Sequence, residues 1–183
     1  MAGTIKQFPA TLEDRIEEIK QARAQLLAEL EGCASDAALA KLAPDRWSIA
    51  EVLHHLYLAE KGIAGMLRKA LSSNERHNRA SDQELRAEWQ RIGSVVGNRE
   101  ERASAPPSAV SENAPGLAEV IGLLNQSRQR LLDTIGSTDL DELSSVSMSH
   151  PFIGPLTGAG WISLIAYHEL RHVEQIREIK SSL

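Results

Sequence analysis

Cys33 is the chain's only cysteine, so no internal disulfide can form, and a reducing compartment is the simpler expectation. No apolar run approaches the roughly eighteen residues that a membrane-spanning helix needs. The opening MAGTIKQFP carries no apolar signal core, so the expected location is cytoplasmic. Basic residues are not in excess: 20 Lys and Arg stand against 25 Asp and Glu, giving a net charge of −5 with no polybasic block. Nucleic acid is therefore not the expected partner. There is no glycine-rich phosphate loop, no nucleophile-elbow sequence, no strand pattern of any strength and no internal repeat.

What remains is helical periodicity. The 183 residues, 42% of them hydrophobic, suffice for one sizeable core, so residues 1–183 are expected to form a single domain. Thr11 to Asp14 starts a first helix, with Leu12, Ile16, Ile19, Leu26 and Leu30 on its apolar stripe and a break at Gly32. Ser48 followed by Glu51 is a capping box opening a second helix that runs to about Leu71. After the polar loop 72–80, Ser81 and Glu84 open an inserted helix through Leu85, Trp89, Ile92 and Val96. Ser, Ala and Pro enrichment between Ala103 and Gly116 breaks any helix. A third core helix then follows from Leu117 to Ile135, ended by Gly136, and residues 137–157 read as a loop with one acidic turn at 139–143. The long connection permits the second and third core helices to run parallel. The all-α fold predicted is thus a four-helix bundle with an extra helix between core helices 2 and 3.

The last helix carries the most informative pattern. His168 and His172, four residues apart, share a face with Trp161, Leu164, Ile165, Gln175, Ile176 and Ile179, while Glu169, Arg171, Glu174 and Arg177 are assigned to the polar side. Two imidazoles at that spacing can bind one divalent metal if another helix supplies a third ligand. His55 on the second helix is the candidate, with His54 as the competing register. Small neighbours Ala59 and Gly62 would leave room beside His55, whereas Tyr57, Leu58 and Lys61 crowd His54. The plainer alternative is that these histidines are core residues bonded to carbonyls. Three inward imidazoles without a metal would, however, leave several buried nitrogens in need of partners.

The segment Arg46-Trp-Ser-Ile-Ala-Glu-Val-Leu-His-His-Leu56, then His150-Pro-Phe-Ile-Gly-Pro-Leu156, and then His168-x-x-x-His172 with Gln175-Ile176, resembles the DinB-like superfamily over nearly the whole chain. The resemblance implies metal ligands at His55, His168 and His172, and a homodimer. It also implies chemistry in which a small thiol cofactor attacks an electrophilic small molecule, making the protein a thiol-dependent S-transferase. The DNA-damage origin of the family's name does not imply DNA binding.

Three neutral imidazoles leave at least one open position on an ion, the pattern of a reactive site. A hydrolase that activates water is one alternative; a metal-binding or dimeric interaction bundle without turnover is another. Zinc or nickel is the expected metal, since no ligand carboxylate suggests an iron site. Arg23 and Arg128 interrupt apolar stripes. Snorkelling to water is their simpler reading, with anion binding in the metal cavity as the functional one. Glu51 is explained by capping, with support of a ligand imidazole or a fourth position on the ion as the alternatives. His150 is expected in a turn and His77 on the surface.

Overall fold

The computed structural model of the chain describes residues 7–99, 109–110 and 114–183; most of the helix-breaking stretch from Ala103 lies outside them. Helix α1 spans Leu12–Ala28, α2 Ser35–Leu39, α3 Ile49–Ser72, α4 Asp82–Gly97, α5 Leu117–Ile135, α6 Leu140–Ser145 and α7 Gly158–Ser182. A two-stranded antiparallel hairpin, β1 Ser147–His150 with β2 Gly154–Thr157, precedes α7.

Local chemistry explains the starts. Thr11 and Asp14, Ser48 and Glu51, and Ser81 and Glu84 form reciprocal capping boxes for α1, α3 and α4. Each satisfies two amides that the helix itself leaves unpaired. Thr157 caps α7 by accepting from Gly160 N, and Glu88 of α4 accepts from both the amide and the hydroxyl of Thr157. A Cβ at Gly160 would collide with the Glu88 carboxylate and push it off Thr157.

The acidic turn expected at 139–143 is the short helix α6, and the hairpin corrects the expectation that the rest of 137–157 is a loop without strands. Its strands are four residues each and include Gly154 and Pro155, too short and irregular to show a period-two pattern. Gly154 sits at φ +85°, a conformation that favours glycine. His150 Nδ1 accepts from the amides of Phe152 and Ile153, so this histidine stabilises the turn. Trp161 Nε1–H donates to Met148 O and ties the hairpin to α7.

Residue pairings give the helix directions. Leu53 and Leu56 share an apolar cluster with Val120 and Leu124, whereas Ile63 and Leu67 share the other with Leu131 and Ile135. Helices α3 and α5 therefore run parallel. Arg15 bonds to Ala159 O and Ser163, Arg23 to Glu169 and Arg177 to Glu29, so α1 and α7 are also parallel to each other. The two pairs are mutually antiparallel, and inserted α4 lies along α7. There Trp89 and Ser163 both donate to Glu18 of α1, in a polar pocket that also holds Arg15.

Between the two apolar clusters lies a buried charged layer supplied by all four core helices. Arg23 Nη2 reaches Glu60 Oε2 at 2.9 Å and its Nε reaches Glu169 Oε1 at 2.7 Å. Arg128 bonds to Glu60, to Glu169 Oε1 at 3.0 Å and to Ile19 O, and Ser127 donates to Glu60. Burial pushes the Glu169 carboxyl up against the pull of Arg128 and Arg23; burial opposes the Arg128 charge, yet Glu169 and Glu60 hold its pKa above the ordinary value. Snorkelling is thus incorrect for Arg23 and Arg128, which are only 6% and 7% exposed. Nor do they await an external anion: Glu60 and Glu169 occupy them. Glu169, assigned from sequence to the polar face, is 2% exposed, because its charge is met inside the bundle.

Candidate metal centre

One turn above that charged layer, α3 and α7 bring His55, His168 and His172 together. The Nε2 atoms of His55 and His172 each lie 3.1 Å from His168 Nε2, and one nitrogen from each ring falls within 4.8 Å of the others. His55 and His172 are buried, while His168 keeps some exposure. His54 points elsewhere, its ring stacked on Tyr57 at 5.8 Å.

The outward nitrogens fix the inward ones. His55 Nδ1–H donates to Ala109 O at 2.7 Å, and His172 Nδ1–H donates to Gln175 Oε1 at 2.7 Å. With those protons outside, the Nε2 atoms of both rings present lone pairs to His168, whose own Nε2 can offer at most one proton between them. Burial, followed by neighbouring charge at His55, lowers the His172 pKa from 6.5 to about 3. Burial likewise takes His168 well below the ordinary value and lowers His55. All three are neutral near neutral pH, as ligands must be. Ligands about 2.1 Å from a tetrahedral ion stand about 3.4 Å apart, close to the spacing found, so the residues fit a divalent metal.

Trp47 roofs the cluster, with its ring centroid 5.0 Å from that of His55 and 6.5 Å from that of His172. Glu51 does not support the imidazoles; it caps α3 and accepts from Lys41 Nζ at 2.9 Å. Gly62, expected to leave room beside His55, is exposed with nothing within 4 Å of where a Cβ would stand. His77 is exposed, as expected. The roles of Trp47, Gln175 and Ala109 were not read from sequence. Only Gln175 left a signal, standing three residues beyond a histidine on the same helical face.

Fold and site together define a four-helix bundle with a three-histidine centre between its second and fourth core helices. The sequence pattern of the DinB superfamily matches residues 18–176, and the chain belongs to that superfamily. It is 27% identical over 168 residues to the uncharacterised protein YuaE of Bacillus subtilis (strain 168), covering 89% of this chain and 95% of that one. Among solved structures it resembles TT2238, a four-helix bundle protein, with TM-score 0.58 and 23% identity, covering 91% of this chain and 98% of the other. It also resembles YfiT from Bacillus subtilis, described as a probable metal-dependent hydrolase with an unusual four-helix bundle topology. That match has TM-score 0.62 and 14% identity and covers 99% of this chain and 91% of YfiT.

Proposed function

We propose that His55, His168 and His172 hold one divalent transition metal, zinc or nickel, and that the protein transfers a low-molecular-weight thiol to an electrophilic small molecule. The observation that carries the metal reading is the convergence of three Nε2 atoms whose partner nitrogens are tied outward to Ala109 O and Gln175 Oε1. An ion there supplies a Lewis acid that eases loss of a proton from a bound thiol or water at neutral pH.

The chain's own residues prepare the site for that chemistry. Ala109 and Gln175 hold two imidazoles in the ligating tautomer, and the Trp47 ring packs against both. Three imidazoles would leave a tetrahedral ion one position open, which favours turnover over a sealed structural ion. In the transfer, the thiol loses its proton to solvent. Its sulfur then forms a bond to the electrophilic carbon, and the leaving group departs with the electron pair of the broken bond. Superfamily resemblance supports the thiol as nucleophile. The description of YfiT supports a second reading, in which water takes the thiol's place and the reaction is hydrolysis.

The test incubates zinc- or nickel-loaded protein with an aryl halide and a panel of small thiols, and separately with an activated ester and no thiol. Thiol-dependent loss of halide, abolished when the three histidines become alanine, is the expected result. Ester cleavage alone would select the hydrolase, and metal uptake without either reaction would make the ion structural.

A further inference from the structure

Away from the histidines, α1, α4 and α7 meet around a buried cluster whose hydrogen bonds do not close. Arg15, 1% exposed, donates from Nη1 to Ala159 O and to Ser163 Oγ, the latter at 2.7 Å. Its Nε and Nη2 make no hydrogen bond among the described residues. The Phe8 ring stands beside the guanidinium, its centroid 5.5 Å from Cζ. Buried donors without partners are costly, and a guanidinium edge of this kind is shaped to take a carboxylate in two parallel bonds.

A carboxyl stands one turn away. Glu18, three residues beyond Arg15 and on the same side of α1, accepts from Ser163 Oγ at 3.1 Å and from the Trp89 indole N–H at 3.3 Å. Arg15 and Glu18 are thereby joined through the Ser163 hydroxyl but not to each other. Helix α1 surrounds Glu18 with Arg15 and Asp14, α4 adds Glu88 beside Arg15, and α7 adds the Tyr167 phenol, which burial and the Glu18 charge push up to about 12. Exposed Arg86 of α4 lies over the Phe8 ring. Arg15 is therefore the cation within reach of Glu18, and burial pushes the Glu18 carboxyl up to about 7, so its proton leaves close to neutral pH.

We infer that Glu18 is a proton-operated latch between α1 and the inserted helix α4. With its proton, the carboxyl bridges Trp89 of α4 and Ser163 of α7; without it, the carboxylate turns to the open Nε–Nη2 edge of Arg15 and releases the Trp89 indole. The reach from one residue to the third beyond it on a helix needs only side-chain rotation, with α1 unmoved. The turn gives the buried charge of Glu18 a partner and satisfies two stranded donors of Arg15 at once. The inserted helix is consequently held more tightly below neutrality than above it.

The experiment follows the Trp89 indole N–H by nitrogen-15 NMR in the full-length protein across the neutral pH range, with the signal assigned by its loss in Trp89→Phe. In wild type it should move upfield as pH rises through about 7. Above that point its proton should exchange with water about fivefold faster than in Glu18→Gln at the same pH, the change expected for loss of a hydrogen bond worth about 1 kcal/mol. A carboxylate that ionised in place would instead bind the indole more strongly and move the signal downfield. Glu18→Gln keeps an acceptor but cannot ionise, so its signal should stay fixed; Arg15→Met removes the waiting edge and should turn the upfield movement into a downfield one. A wild-type signal that stays fixed or moves downfield, or a movement that survives in Glu18→Gln, overturns the latch. An upfield movement that survives in Arg15→Met overturns the part given to Arg15.

Discussion

His172 Nδ1 lies 2.7 Å from Gln175 Oε1, one helical turn further along α7. This bond places the ring's proton on the outer nitrogen and turns the Nε2 lone pair towards His168, so a side chain outside the cluster sets the ligating state of one inside it.

Gln175→Leu should therefore weaken metal binding by about tenfold or more, the usual scale for loss of a bond that orients a ligand histidine. Gln175→Glu, which keeps an acceptor, should retain most of the affinity. Competition with a coloured chelator measures both. Equal affinity for the leucine variant and wild type would mean that the tautomer is set without Gln175.

The two adjacent histidines of α3 make a stringent pair. His55→Ala should reduce metal affinity far more than His54→Ala, since His55 Nε2 faces His168 and His54 stacks on Tyr57. The same chelator competition decides it, and the reverse order would place the ligand at His54.

Glu60 receives Arg23, Ser127 and Arg128 at once in the buried charged layer. Glu60→Leu leaves two guanidinium groups facing the single carboxylate of Glu169 and should cost about 3–5 kcal/mol in urea unfolding of the metal-free protein. Replacing Arg23, Glu60, Arg128 and Glu169 together by apolar residues of similar volume should cost much less than that sum, because no charge is then stranded. A loss under about 1 kcal/mol for Glu60→Leu would show that water reaches the layer.

Stability of the metal-free protein should fall on acidification. The His172 pKa is lowered from 6.5 to about 3 in the folded state, so below pH 6.5 the unfolded chain binds a proton that the folded chain refuses. Each such group contributes a slope of about 1.4 kcal/mol per pH unit over that window. Glu18 acts in the opposite sense. Burial raises its carboxyl from 4.5 to about 7, so its protonated form favours the fold and stability is lost as pH rises through that interval. Glu18→Gln should remove this second slope and leave the first, as read from urea midpoints at several pH values.

Much of the architecture was legible in the chain. The three capping boxes at Thr11, Ser48 and Ser81 mark helix starts by local hydrogen bonding alone, and the spacing of His168 and His172 puts both rings on one face whatever packs against them. The short hairpin was not legible, since four-residue strands containing Gly154 and Pro155 carry too little alternation. The charged layer was missed for a different reason. Arg23 and Arg128 stand out by interrupting apolar stripes, but Glu60 and Glu169 look like surface residues, and only the approach of four helices makes the four mutual partners. Trp47 and Ala109 likewise acquire their roles from contacts across long sequence separations.

The central claim is that His55, His168 and His172 form one metal site, and elemental analysis of tag-free protein tests it most directly, with wild type beside the triple alanine variant. The account predicts about one equivalent of a divalent transition metal in wild type and none in the variant, with helix content retained in both. Absence of metal from wild type even after addition of zinc or nickel, or equal metal in the two proteins, would contradict it.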